Sequence, residues 1–359
     1  MSIVIEKINL ISGWDEKLKE FNGSIFMSSE WLESLKADDR KPVYLVFNII
    51  NDAQALLAGF ERPVYNSNYK QLFFYSGIIA REKNLELIKD CKNALVHFCR
   101  KNKYSRIIMK SYDFFDQLQV SAGQYIPFKR AECVISLLKT EEELINNIAK
   151  RYRSYIRKGK RNGVVFKYGN SPKLLKTFYE LLDDTFEVRT SKGYAQYKIF
   201  TMPFMEREQM KRLIENGAAS LYYVEKDGEI LSMQFLLNLA GRAYMLLMGT
   251  SPTGYKLSAP SVLIYDSIIK LKREGIDSYN LGGIPLGEEN DGVKRFKIMM
   301  GASVLESVEE STDFIISPLN HINFLLMIKR FLLNVRLPWI VKKQLLRGID
   351  FYIMGRDQY

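Results

Sequence analysis

Residues 279–302 read YNLGGIPLGEENDGVKRFKIMMGA. They bring Lys294, Arg295 and Lys297, with Phe296 between them, a short acidic loop away from a strand that ends in Gly282 and Gly283. Three cations beside a strand end without side chains suit two kinds of chemistry. They can hold phosphate, or they can stabilise negative charge that develops in a transition state where water is excluded. The two glycines serve either use, because a bare strand lets a bulky substrate approach the backbone. An ordinary surface turn has the same composition, so the surrounding elements must arbitrate.

A second basic stretch, KRYRSYIRKGKRNGVVFKYG at 150–169, interleaves Tyr152, Tyr155 and Ile156 with Lys and Arg. The pattern predicts an amphipathic helix. Arg153, Arg157, Lys158 and Arg161 then form either a solvated face or a cationic wall for phosphates, whose binding would be salt-dependent through counterion release. Lys plus Arg exceed Asp plus Glu by 52 to 41, a net charge of +11 that favours polyanionic partners: nucleic acid, phosphorylated substrates or an anionic membrane surface.

Other chemistries lack their signatures. Gly287 and Gly292 have the Walker A gap, but Val293-Lys294 replaces the Lys-Ser/Thr pair. No GxGxxG opens a helix, and HExxH and GxSxG are absent. Three cysteines (Cys91, Cys99, Cys133) and two histidines (His97, His321) build neither a CxxC-type zinc site nor a disulfide framework, so no metal is expected. His97 reads as a packed helix residue and Cys91 and Cys99 as core positions. Transfer chemistry that depends on positioning and electrostatics remains open.

The elements that must position these residues occur twice, about 175 residues apart. VYLVFNIINDAQALLAGF (43–60) and LYYVEKDGEILSMQFLLNL (221–239) read as hairpins around Asn-Asp and Asp-Gly turns. Each leads to a β-rich run, QLFFYSGII (71–79) or AYMLLMGT (243–250). An amphipathic helix follows at 85–102 or 260–275, then a strand at 105–110 or 278–283. Five elements repeated in one order predict a duplicated mixed α/β domain. A length of 359 residues and 47% hydrophobic content suit two globular cores.

With this plan, the basic run RYRSYIRKGKRNGV, the closing YNLGGI…GVKRFKIMMGA and the N-terminal SIFMSSEWLESLK together resemble the FemABX family of peptidoglycan-bridge aminoacyltransferases over roughly residues 20–310. The resemblance implies an α/β protein of two tandem GNAT-like (acyl-CoA N-acyltransferase-like) domains with a C-terminal helical tail. The expected division is residues 1–145, 146–312 and 313–359. It further implies transfer of an aminoacyl group from aminoacyl-tRNA to an amine of a phosphorylated cell-wall precursor, in the cytoplasm, with no resident cofactor. By the family's motifs, Phe296 and Lys297 fall in the catalytic channel, Lys36 on precursor phosphate, and Arg189 with Tyr194 (in FEVRTSKGY) on phosphate. Gly282, Gly283 and Arg295 join them as substrate-binding candidates.

The chain departs from that family in closing on Gly301-Ala302 rather than two glycines and in lacking a coiled-coil arm. Relatives of the fold use acyl-CoA, which makes N-acylation of an amino sugar in a glycan precursor the second reading. The loop SPTGYKLSAPS (251–261) has Gly254 but not the glycine-rich pyrophosphate pattern, which favours aminoacyl-tRNA. A binding module for RNA or membrane is the third reading. The acidic cluster Asp183, Asp184, Glu187 reads as a solvated face, so the general base is unassigned. Tyr222, Tyr223, Tyr244 and Tyr255 either line the site or pack.

At the N-terminus, MSIVIEKINLISGWDEK lacks the basic and apolar regions of a signal peptide. In the tail, PLNHINFLLMIKRFLLNVRLPWIVKKQL (318–345), Lys329, Arg330, Arg336, Lys342, Lys343 and Trp339 flank apolar runs too short to span a bilayer. Such helices pack on the protein or lie on an anionic membrane face.

Overall fold

The structure is a computed structural model. It describes residues 3–8, 12–50, 52–64, 69–114, 122–191, 199–239, 241–284, 291–312 and scattered positions between 324 and 349. In chain order the elements begin with β1 (Val4–Ile8), α1 (Trp14–Glu20), α2 (Ser29–Leu35), β2 (Lys41–Ile49), β3 (Asp52–Pro63), β4 (Lys70–Phe74), β5 (Ile79–Ala80), α3 (Leu85–Lys101) and β6 (Tyr104–Met109). Then come β7 (Tyr125–Ser136), α4 (Glu141–Asn147), α5 (Lys150–Arg161), β8 (Val165–Gly169), α6 (Pro172–Ser191) and α7 (Arg207–Glu215). The last are β9 (Ala219–Lys226), β10 (Glu229–Leu239), β11 (Arg242–Thr250), α8 (Pro252–Lys256), α9 (Ala259–Arg273), β12 (Ser278–Ile284), α10 (Asp291–Met299) and β13 (Ser303–Thr312).

Two compact units result, Met1–Lys129 with Ser307–Tyr359, and Arg130–Glu306. The chain changes unit within β7 and again within β13. In the first unit β1, β2, β3 and β4 pair antiparallel in sequence order, β6 joins β4 in parallel, and β13 lies antiparallel to β6 through Glu310–Met109 and Ser311–Ile108. In the second, β8, β9, β10 and β11 pair antiparallel, β12 joins β11 in parallel, and β7 lies antiparallel to β12. Both units therefore have the plan read from the repeat, and each is completed by a strand from outside its own five-element copy.

The repeat forms these elements for local reasons. The Asp227-Gly228 turn has both residues at positive φ, 52° and 84°, as a two-residue hairpin needs. Asn84 caps α3 by accepting from the amides of Glu86 and Leu87. The inner face of α3, Ile88, Cys91, Leu95 and Cys99, packs on Leu45, Phe47, Leu57, Leu72 and Phe74. The α9 face Val262, Leu263, Ile268 and Leu271 likewise packs on Val224, Leu236, Tyr279 and Leu281. Each such buried side chain contributes roughly 1.5–3 kcal/mol. His97 lies exposed on α3, whereas Cys91 and Cys99 are buried as expected.

Within the second unit α5 lies against α9. Its Ile156 and Gly159 are buried, with Tyr152 packed beside them. Gly159 makes this contact possible: a Cβ there would fall 2.6 Å from the Val262 Cγ2 and 3.1 Å from the Leu257 carbonyl oxygen. Of the tail, the described Phe324, Met327 and Phe331 are exposed, while Arg330, Arg336, Trp339, Lys342, Lys343 and His321 lie outside the described residues. Among the described residues no helix is long and apolar enough to cross a membrane. Because Val262 is stiff at χ1, Gly159→Leu should lower stability in urea unfolding by roughly 1–3 kcal/mol through overpacking, although Leu is the better helix former. Unchanged stability would show that α5 does not depend on this contact.

Candidate functional site

The parallel pairing of β11 with β12 is short. It runs over Arg242–Ser278, Ala243–Tyr279 and Tyr244–Asn280 and then stops. Leu246 is left over by a register shift where β11 pairs β10, and β12 shifts register against β7 between Asn280 and Gly283. At the second shift Gly282 takes φ +80°, a left-handed conformation that favours glycine; a Cβ there would sit 3.2 Å from the Met245 carbonyl oxygen. Its amide donates to the Asn280 side-chain Oδ1 at 2.8 Å in place of a strand neighbour.

Lys297 meets the carbonyls of this strand end. Its Nζ donates to Gly282 O at 3.1 Å and to Gly283 O at 2.9 Å. Lys297 is only 6% exposed, and it faces inward because α10 is seated by its neighbours. Phe296 packs on Tyr152 of α5 with ring centroids 5.8 Å apart, Met300 is buried, and the Ala149 amide donates to Met299 O at 2.9 Å. Helical periodicity leaves Lys294 and Arg295 exposed on the other side. Of the three cations, one therefore enters the fold and donates to carbonyls beyond the point where β12 stops pairing with β11.

Burial depresses Lys297 to about 8 from its ordinary 10.5. Cys133 and Glu132 oppose that fall, and Arg130 and Arg189 add to it. Burial also pushes the Cys133 thiol up, so it is neutral at pH 7. An ammonium has three N–H donors and two are used here, which leaves one for an incoming group. A partly desolvated cation with a spare donor is suited to an oxygen that gains negative charge.

Gly282, Gly283, Lys297 and the charge of Arg189 are thus brought together in the second unit. Phe296 holds α10 on α5, and Arg295 faces away from Lys297. Lys36 is in the first unit, after α2, 56% exposed in its side chain and 3.3 Å from Glu33. Tyr194 lies outside the described residues. Arg153, Arg157, Lys158 and Arg161 share the outward side of α5; Arg153 donates to Asn146 at 3.0 Å, and the other three are exposed. Asp183 pairs with Arg207 at 3.2 Å on an exposed surface, as a solvated face does. Tyr244 is buried and donates to Glu132, whereas Tyr255 is exposed. Sequence reasoning does not single out Arg130, Glu132 and Asn280. Their only sequence signal is a charged pair two apart, in RAECVIS, within an otherwise apolar strand.

The acetyltransferase (GNAT) domain family model matches residues 146–297, which spans α5 through Lys297. The structure is similar to that of FemX, at TM-score 0.67 and 16% identity, over 85% of this chain and 96% of that one. The fold is the FemX-like tandem of GNAT units. A conserved protein of unknown function from Bacteroides thetaiotaomicron is similar at TM-score 0.53 and 13% identity, over 87% of this chain and 100% of that one. L-PGS from Bacillus licheniformis is similar at TM-score 0.50 and 18% identity, over 87% and 95%. A search of curated protein sequences gave no match.

The lowered Lys297 value sets a stability test. Between about 8 and 10.5 the unfolded chain holds a proton that the folded chain has lost, so folding becomes more favourable as pH rises through this window. Below about 8 the full cost of burying the cation is present, roughly 3 kcal/mol. Urea unfolding at several pH values should therefore show wild type gaining stability relative to Lys297→Met between pH 8 and 10.5. Parallel pH dependence in the two proteins would mean that Lys297 is not buried as a cation.

Proposed function

We propose that this protein transfers an aminoacyl group from aminoacyl-tRNA to an amine of a phosphorylated cell-wall precursor, with the second unit as the transfer site. The observation that carries the reading is Lys297, a buried ammonium with a spare N–H at the end of β12 where pairing with β11 has stopped, inside the residues that match the GNAT domain. The neutral acceptor amine attacks the ester carbonyl, a C–N bond forms, the C–O bond to the tRNA ribose breaks, and the proton lost by the amine ends on the leaving ribose hydroxyl. Lys297 offers its free donor to the carbonyl oxygen as charge builds on it. Only interactions stronger in the transition state than in the ground state accelerate such a step.

The outward face of α5 supports an RNA donor. Arg157, Lys158 and Arg161 have no acidic partner within 4.0 Å among the described residues, so their charge is open to phosphates. The segment after β11, which forms the short helix α8, does not favour acyl-CoA. Gly254 there is packed against β10, where a Cβ would meet the Leu231 carbonyl oxygen at 2.2 Å; its lack of a side chain serves that contact. Lys36 in the first unit and, separately, Arg189 in the second are proposed as phosphate contacts, and the exposed apolar positions of the tail to rest against the inner face of the membrane.

Incubation with charged tRNA, or with acetyl-CoA, and with amine-bearing precursors tests the donor. Transfer from charged tRNA is expected. Transfer from acetyl-CoA alone would overturn the proposal in favour of N-acylation of an amino sugar, and transfer from neither would leave a binding module. In a second experiment, Arg153, Arg157, Lys158 and Arg161 are all replaced by Gln. Binding to tRNA should weaken, and the slope of log affinity against log salt should flatten by about 0.7–0.9 for each phosphate that is no longer neutralised. Stability should move by no more than ~0.5 kcal/mol for each exposed position. An unchanged slope would make α5 a solvated face.

A further inference from the structure

Glu132, within β7, is 3% exposed and lies opposite Gly283 in the strand register. Its Oε1 accepts from Arg130 Nη2 and from the Tyr244 hydroxyl, both at 2.8 Å, and its Oε2 accepts from Asn280 Nδ2 at 2.7 Å. Asn280, itself 1% exposed, turns its other end to the Gly282 amide at 2.8 Å. One carboxylate is therefore linked through a single amide side chain to Gly282, the residue whose carbonyl receives Lys297. A Cβ on Gly283 would fall 3.0 Å from Arg130 Nη2, so the guanidinium that holds Glu132 lies directly against the strand end.

Charged and titratable groups reach Lys297 from several elements: Cys133, Glu132 and Arg130 from β7, Arg189 from α6, Tyr244 beside them from β11, and Lys294 earlier on α10. Two of these are arginines, which repel the ammonium. The thiol is neutral at pH 7. Glu132 is left as the countercharge among the described residues. With three donors on its oxygens and almost no solvent contact, it is built to hold its neighbours rather than to collect a proton from substrate.

We propose that Glu132 is a positioning residue of this site, which holds the Gly282 and Gly283 carbonyls in place through Asn280 and supplies the negative charge that the Lys297 ammonium faces. The role in transfer rests on the function proposed above; the electrostatic role does not. Without Glu132 the ammonium would feel the repulsion of Arg130 and Arg189 in a desolvated place with no carboxylate to oppose it, and would lose its proton more readily. The spare N–H would then belong to a neutral amine, a poor partner for a developing anion.

The experiment follows the Lys297 side chain by NMR in the full-length protein carrying 13C-labelled lysine, with no substrate present. Its signal is identified by its loss in Lys297→Met. Wild type should titrate near pH 8. Glu132→Gln should lower the midpoint by about one pH unit or more, and Glu132→Asp, which keeps the charge, should restore most of it. Arg130→Met should raise it, because one repelling cation is gone and Glu132 is released toward Lys297. A folded Glu132→Gln protein with an unmoved midpoint would overturn the proposal. Should that variant fail to fold, Arg130→Met decides, and an unmoved midpoint there overturns it equally. Neither donor nor acceptor enters this measurement, so its failure removes the role of Glu132 and leaves the transfer reading standing, while a failed donor assay leaves the titration intact.

Discussion

A buried ammonium resting on two backbone carbonyls is the constraint around which the second unit is arranged. Desolvation of Lys297 costs roughly 3 kcal/mol at neutral pH. That is the net cost in the fold; the two carbonyl hydrogen bonds keep it from being larger. The carbonyls are available only because β11 and β12 stop pairing after Tyr244 and Asn280. Left-handed Gly282 turns the strand end, Asn280 satisfies its amide, and the seat of α10 on α5 aims the lysine. Loss of any one of these would leave either a buried cation or buried carbonyls without partners.

The duplicated unit provides the contrast. In the first unit the equivalent parallel pair, β4 and β6, shifts register once after Lys70–Tyr104 and then runs unbroken from Gln71–Arg106 to Phe74–Met109. It then continues through Lys110 N to Phe74 O at 2.8 Å and Tyr112 N to Tyr75 O at 2.9 Å. The carbonyls of Phe74 and Tyr75, at the end of the strand equivalent to β11, are taken by backbone amides, whereas β11 and β12 part after three paired positions. The same five-element plan is thus closed in one copy and open in the other, and the open copy is where the GNAT domain match lies.

Local signals carried most of the fold. The hairpins at 43–60 and 221–239 and the helices expected at 85–102 and 260–275 all appear, with ends displaced by up to three residues, since period and turn chemistry depend on neighbours in sequence. Lys297 was legible because the strand end and the cation lie close together in the chain. The support around it was not. Glu132 reaches Asn280 across 148 positions, through an antiparallel pairing that follows no hairpin, and no local pattern announces such a partner. Nor does residue type distinguish Lys297 from Arg295, because only the placement of α10 decides which cation turns inward. The chain leaves one unit within β7 and re-enters it within β13, and long-range pairing of this kind is equally silent in sequence.

The central claim is that Lys297 acts as a cation at the transfer step. The most direct test is the single-turnover rate of acyl transfer as a function of pH, in wild type and in Lys297→Met. The account predicts a rate that declines as pH rises through about 8, as the lysine loses its proton. It predicts a variant that folds, binds acceptor with little change and transfers ~100-fold or more slowly, with that decline absent. A folded Lys297→Met protein that transfers at the parent rate, with the parent pH profile, would contradict it.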